Sequence, residues 1–168
     1  HAEGDDVIAV LSKTIQEKSI IISSDKDFTQ LQKFKHIKQY SPIQKKMLSA
    51  ADPYKYLQEH IIRGDKGDGV PNILSDDDCI VNGERQKPIT KKKLAVWMEQ
   101  TDMANGLSVK WKRNQQLIDF DYIPAEISKG IMDSYSKKKD EQKQGQLLNY
   151  FIVNRLKYLM ENIEDFIR

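Results

Sequence analysis

The chain has 168 residues, with 27 Lys and Arg against 25 Asp and Glu, a net charge of +2. That length fits one domain or one and a half and excludes a large multi-domain machine. The residues are 39% hydrophobic and 31% charged, which suffices for a packed core, and no apolar run approaches the roughly 18 residues of a spanning helix, so no membrane partner is expected.

Taken in chain order, Val7, Ile8, Leu11 and Ile15 fall on one stripe and predict a helix over about residues 5–17. The β-branched run Ser19–Ser23 predicts a short strand buried on both faces. A helix followed by such a strand is half of an α/β unit with a parallel sheet. Phe28–Leu31 reads as one helical turn, and Ile37–Tyr40 as an edge strand ending at Ser41-Pro42. Asp52-Pro53 supplies an N-cap and a proline at the first helical position, for a helix that turns Leu57, Ile61 and Ile62 inward and stops at Gly64. Gly64–Pro71 is a loop dense in turn residues, and Ser75–Gln86 is polar and irregular. Helical stripes resume at about 89–100, at about 107–118, from Pro124, and at about 146–166. The last of these aligns Leu148, Phe151, Ile152, Leu156, Leu159, Ile163 and Phe166. Ser136–Gln144 is a short solvated charge run. A boundary near residue 50 separates an α/β part from an all-helical part, mostly helical overall. The single cysteine, Cys79, makes no internal disulfide, and the acidic opening lacks the basic start of a secretory signal. Both features read as an intracellular, cytoplasmic chain.

Charge is segregated. Residues 1–30 hold six acids and three Lys, residues 33–46 hold five Lys and no acid, and Arg85, Lys87, Lys91, Lys92 and Lys93 crowd one later stretch. In Ile22–Asp27 a hydrophobic strand delivers Asp25 and Asp27 at its C-terminal end, where open α/β sheets bind ligands. An Asp-rich turn capping the next helix is the plainer account of the same residues. Glu3, Asp5 and Asp6 open a helix, where the dipole favours carboxylates in any case. In a parallel α/β unit, however, the helix N-terminus lies at the strand's C-terminal edge, so the two acidic groups meet. Asp65 and Asp68 stand in a glycine-rich turn that permits positive φ and close backbone approach to phosphate. Its spacing does not match a twelve-residue calcium loop. Seven acids with no His or Cys among them suit Mg²⁺ or Mn²⁺ and not zinc. His1, His36 and His60 have no mutual spacing that suggests a metal or a triad. Trp97 and Trp111 read as core residues.

Glu3–Ala9, Ile21–Phe28 and Gly64–Asp68, in that order, resemble the structure-specific 5′-nuclease (flap endonuclease) family. Leu117–Pro124 resembles its ribonuclease H branch in T-even-like bacteriophages. The resemblance covers essentially the whole chain. It implies a PIN-like parallel-sheet nuclease domain, of which residues 1–50 are the C-terminal part. Residues 51–168 would be a helical DNA-binding domain with a helix-hairpin-helix-like loop at 64–72. It implies a metal-dependent 5′ to 3′ exonuclease and flap endonuclease acting on RNA primers and 5′ DNA flaps in lagging-strand replication, in host-cell cytoplasm for a phage protein. Asp5, Asp25 and Asp27 would be catalytic. Glu3, Asp5, Asp6, Asp25, Asp27, Asp65 and Asp68 would hold two Mg²⁺ or Mn²⁺ ions, able to activate water and stabilise the leaving oxygen. Lys66, Gly67, Gly69, Arg85, Lys87, Lys91, Lys92 and Lys93 would bind DNA through backbone amides and phosphate contacts. The implied partners are DNA and RNA–DNA with a 5′ flap or junction, a single-strand-binding protein or sliding clamp, and an N-terminal half. Two more aspartates and a basic arch of the family have no counterpart here, so the chain resembles a C-terminal half. Asn72–Gln86 replaces the family's glycine-rich hairpin and leaves its monovalent ion without a counterpart. A non-catalytic duplex or junction DNA-binding module is the competing reading, and a Mg²⁺-dependent phosphatase of another α/β fold a weaker one.

Overall fold

The computed structural model describes residues 2–99, 105–140 and 146–166. They form two compact units, His1–Ile131 and Met132–Arg168. Residues on either side of position 50 therefore share the first unit.

Helix α1 (Gly4–Thr14) leads into strand β1 (Ser19–Ile22) and a 3-10 helix, Asp27–Lys33. Strand β2 (Ile37–Ser41) follows, then β3 (Lys46–Leu48). β1 and β2 run parallel, with Ser19 opposite Ile37 and Ile22 opposite Tyr40, and β3 adds antiparallel to β2. The sheet order β1-β2-β3 makes Ile37–Ser41 the central strand, which corrects the expectation of an edge. The cause is β3, which the lysine-rich turn Pro42–Lys46 hid. Lys45 takes φ 52° there and reverses the chain. β1 is the edge instead. Its Ile21 is buried, but Ile20 is 61% and Ile22 73% exposed, so the strand is covered on one face and not on both. Nothing among the described residues packs over the second face.

Ile21, Ala9, Phe28, Leu31 and Ile37 form the first core cluster, with Phe34, Phe120 and Ile123 packed against it. The rings of Phe28 and Phe120 lie 5.8 Å apart, an attractive tilted pair. β1 and β2 contribute Ile21 and Ile37 from their covered face; from α1 it is Ala9 that joins the cluster, whereas of the expected stripe Val7, Leu11 and Ile15 are half-buried and Ile8 is exposed.

Helix α2 (Pro53–Arg63) begins as its sequence dictates. Asp52 Oδ1 accepts the Lys55 amide at 3.0 Å, Pro53 occupies the first helical position, and Gly64 ends the helix at φ 67°. α3 (Lys91–Glu99) and α4 (Asn105–Ile118) follow, then a 3-10 turn at Phe120–Tyr122 and α5 (Ala125–Asp140). Residues 72–90 between the glycine loop and α3 are turns and coil. A second core cluster unites Leu57 and Ile61 of α2, Val70 and Ile118, with Trp111 against it. Trp111 is thus a core residue as its spacing suggested.

In the second unit, α6 (Gln146–Val153), α7 (Lys157–Glu161) and a 3-10 turn (Ile163–Phe166) replace the single helix expected over 146–166. Arg155 adopts φ 55° at the break, and the Leu156 amide returns to the Phe151 carbonyl at 2.8 Å. That left-handed residue ends α6 as a glycine would. Of the expected apolar face Phe151 is buried, while Leu148, Ile152 and Leu159 are exposed; the Phe166 side chain lies outside the described residues. Of the charge run at Ser136–Gln144, residues 136–140 continue α5 and the rest lie outside the described residues.

Candidate metal centre

Three chain segments deliver carboxylates to one place. The α1 N-terminus brings Glu3, Asp5 and Asp6; the end of β1 brings Asp25 and Asp27; the loop after α2 brings Asp65 and Asp68. Partial burial pushes Asp5 above its ordinary value, with further upward pressure from the charges of Asp25, Glu3, Asp6 and Asp68. Burial is also the main cause that raises Asp27 to about 6. His60 opposes that rise, and the charges of Asp25, Asp65 and Asp68 add to it. Tyr56 of α2 is raised to about 12 by burial and by Asp27, Asp25 and Asp65. These effects mark one electronegative region in which Asp5 and Asp27 are protonated more readily than in water.

Local bonds fix the acids. Gln39 of the central strand is fully buried, and its Nδ-equivalent amide, Nε2, donates to the Ser23 carbonyl at 3.0 Å and to the Asp25 carbonyl. It clamps the segment that leaves β1. The Asp25 carboxylate accepts the Asp27 amide at 2.9 Å. Asp65 Oδ1 accepts the amides of Gly67 at 2.7 Å and Asp68 at 3.3 Å, and the Val70 amide donates to the Asp65 carbonyl at 2.6 Å. The loop thus closes on itself and leaves Asp65 Oδ2 for other partners. Gly64 admits no side chain: an added Cβ would stand 2.4 Å from the Val70 carbonyl oxygen. Asp6 is used differently, since its Oδ2 accepts the Glu3 amide at 3.0 Å and caps α1.

Two residues that the sequence patterns passed over shape this pocket. His60, in the last turn of α2, sets its Nε2 3.3 Å from Asp65 Oδ2 and 3.6 Å from Asp27 Oδ1. Asp27, His60 and Asp65 present ligand atoms that all lie within 4.8 Å of one another. A histidine therefore stands among the acids, and the reading of an all-carboxylate site omitted it. One signal was available: His60 precedes Gly64 by one helical turn and shares the polar side of α2 with Tyr56, its ring neighbour at 5.9 Å. The second residue is Asn114 of α4, fully buried. Its Nδ2 donates to the Ile61 carbonyl at 2.8 Å and the Pro71 carbonyl at 2.9 Å, joining α2, the end of the glycine loop and α4.

The basic candidates are all exposed, as are Gly67 and Gly69. Lys91, Lys92 and Lys93 form the first turn of α3, where Thr90 Oγ1 accepts the Lys93 amide at 3.3 Å. Lys87 is engaged at 3.2 Å by Asp76, which Lys110 also meets at 3.3 Å, and Arg113 pairs with Asp77. The acidic run after the glycine loop thus neutralises three of the nearby cations.

The family model described as T4 RNase H, C terminal, matches residues 53–166. The chain is also 34% identical over 177 aligned positions to the Ribonuclease H of Enterobacteria phage T4. It belongs to the T4 ribonuclease H family. The alignment covers 98% of this chain and 58% of that phage protein, so the chain spans less than two thirds of the relative's length. The T4 ribonuclease H family is a nuclease family, and a divalent cation suits the donors found here. The carboxylates repel one another and lose that repulsion when a cation is added, and the imidazole of His60 offers a further donor atom.

Proposed function

We propose that this chain is part of a metal-dependent 5′-nuclease that removes RNA primers and 5′ DNA flaps during replication. The observation that carries the reading is the convergence of Asp5, Asp25, Asp27, Asp65 and Asp68 from three separated segments, felt as upward shifts on Asp5 and Asp27. Evolution of a stable fold gives no reason to gather so many like charges without a cation to hold. Asp27 and Asp65, with Asp6 and Asp68 near them, would hold one Mg²⁺ or Mn²⁺, and Asp5 and Asp25, with Glu3 beside them, would contribute to a second. Such ions supply charge to the scissile phosphate and a readily deprotonated water.

The chain's own groups set the geometry. Gln39 and the Asp25–Asp27 bond orient the two carboxylates at the strand end, and the closed glycine loop fixes Asp65. Lys66, Arg85 and the Lys91–Lys93 turn would neutralise duplex phosphates beyond a junction; the Gly67 and Gly69 amides, expected to join them, are instead given to Asp65 Oδ1 at 2.7 Å and the Lys66 carbonyl at 3.4 Å. Lys87 would join them only by leaving Asp76. Ile20 and Ile22 on the open face of β1 would seat a polypeptide equivalent to the part of the phage T4 relative that this chain does not span. Replication proteins such as a sliding clamp or single-strand-binding protein are further partners in this reading.

The test is cleavage of 5′-flap DNA and of RNA–DNA with Mg²⁺. The chain is assayed alone and mixed with the unmatched part of the phage T4 enzyme. Cleavage that requires Mg²⁺ and is lost in Asp25→Asn supports the proposal. Junction binding with no cleavage in any mixture would favour a non-catalytic DNA-binding module, for which the open face of β1 is the motivating observation.

A further inference from the structure

The acids of the pocket are matched by the family resemblance, but the histidine among them is not. His60 Nε2 is shielded from solvent and has no hydrogen-bond partner among the described residues. It lies within ion-pair reach of both Asp65 Oδ2, at 3.3 Å, and Asp27 Oδ1, at 3.6 Å, yet is aligned with neither as a donor. A shielded ring nitrogen between two carboxylate oxygens, bonded to neither, is an uncommon arrangement, because buried polar atoms normally find partners.

The spacing matches a different role. Donor atoms that share one ion through bonds of about 2.1 Å stand about 3.0–3.4 Å apart when adjacent. The nitrogen-to-oxygen separations here approach that range. The other bonds at the site also leave the right atoms free. Asp65 spends Oδ1 on the Gly67 and Asp68 amides and turns Oδ2 to His60. The His60 carbonyl is used by the Gly64 amide at 2.8 Å, which locks the end of the helix that carries the ring.

We propose that His60 is a nitrogen ligand of the divalent cation held by Asp27 and Asp65, and that it biases this site toward Mn²⁺, Co²⁺ and Zn²⁺ over Mg²⁺. The inference rests on the metal-centre reading above and adds to it the identity of one ligand and the ion preference. Imidazole binds the later first-row ions well and Mg²⁺ poorly, whereas carboxylates alone favour the hard ions. Tyr56, packed on the ring, holds the imidazole plane.

Calorimetric titration of the 168-residue chain with Mg²⁺, Mn²⁺ and Co²⁺ tests this, together with His60→Asn, His60→Gln and Asp65→Asn. Circular dichroism first establishes that each variant is folded. Loss of His60 is expected to weaken Co²⁺ binding by about 10- to 100-fold, the range seen when partners of a metal site are removed, and Mg²⁺ binding by less than about threefold. The visible absorption of bound Co²⁺ should shift toward that of an all-oxygen site. A measurement on the unaltered chain serves if both histidine variants misfold: Zn²⁺ should move the ¹⁵N resonance of one imidazole Nε2 in a way that Asp65→Asn abolishes. His36 is distinguishable from it because its Nε2 already meets the Ser12 carbonyl at 3.0 Å.

Equal Co²⁺ affinity and an unchanged spectrum in His60→Asn, with Asp65→Asn weakening both ions, would overturn the nitrogen ligand and leave the metal centre standing. A chain that binds none of the three ions would overturn both.

Discussion

Replacing Asn114 by alanine removes a side chain that ties the end of α2 and the close of the glycine loop to α4. Its two donated bonds are lost, to the Ile61 carbonyl at 2.8 Å and the Pro71 carbonyl at 2.9 Å, with the two that its Oδ1 accepts from Arg113 at 2.9 and 2.7 Å. The two acceptors fare differently. Pro71 keeps a donor, since Arg113 Nη2 reaches it at 2.8 Å. Ile61 lies in the last turn of α2, where helical carbonyls have no partner further along the chain. A buried carbonyl stripped of its donor costs about 1–3 kcal/mol and the second bond about 1 more, so the expected loss is about 2–4 kcal/mol. For a slope of about 2 kcal/mol per molar urea, the unfolding midpoint should fall by about 1–2 M. Asn114→Asp also loses both donated bonds and sets a carboxylate oxygen against the two carbonyls in a fully buried position, a cost that the Arg113 guanidinium at Oδ1 partly offsets. Urea denaturation followed by circular dichroism reads both variants. A cost below about 0.5 kcal/mol for alanine would refute the claim that this amide holds the loop.

Gly64→Ala should be more disruptive than a surface change, because φ 67° is strained for alanine and its Cβ would meet the Val70 and Pro71 backbone at 2.4–2.6 Å; a large fall in Tm and in Mn²⁺ affinity is expected, and calorimetry measures both. Asp27 is raised from an ordinary 3.8 to about 6, so the folded chain holds more protons than the unfolded one across that window. Without metal, stability therefore falls as pH rises from about 4 to about 6, and the penalty persists above it. In EDTA, Asp27→Asn should then unfold at a higher temperature than the parent at pH 7.5 and at the same temperature at pH 3.5. Equal curves at pH 7.5 would contradict the assigned burial. Changing Lys91, Lys92 and Lys93 together to alanine should weaken duplex binding and make the slope of log K against log salt shallower by up to about 3. A slope that does not move would leave these lysines as a solvated face.

Much of this architecture is written in local chemistry. Asp52-Pro53 and Gly64 bracket α2 because capping and positive φ are properties of those residues themselves. The approach of Asp5 to Asp25 follows from a helix and a strand sharing one edge, where the charge of Asp25 adds to the burial that raises Asp5. Other features depend on partners distant in sequence. β3 has three residues and no apolar alternation, and exists because β2 offers it a ladder. The break at Arg155 interrupts a continuous apolar stripe, so periodicity ran straight through it. His60 gained its position from where α2 lies against the Asp27 turn. Gln39 and Asn114 stand beside other polar residues in the sequence, Lys38 for the one and Arg113 and Gln115 for the other, so nothing local marked either amide as buried. The open face of β1 was concealed for the opposite reason: three successive isoleucines look alike whether one or both sides are covered.

Asp121 pairs with both Lys13, at 3.3 Å, and Lys33, and Lys13 also donates to the Phe120 carbonyl at 2.6 Å. Gln30 reaches the same region, giving Nε2 to the Ile118 carbonyl and taking the Phe120 amide, both at 3.0 Å. The scaffold beneath the acidic pocket is therefore stitched by contacts about a hundred residues apart along the chain. Contacts of that span slow folding, because a long loop must close before they repay its entropy. During synthesis, residues emerging at about 5–20 per second leave the first strand waiting several seconds for its distant partners. Through that interval the isoleucines of β1 and the unpaired acids are held by local structure alone. Assembly of the pocket is thus timed by the arrival of Phe120 and Asp121, and not by the order in which its carboxylates are made.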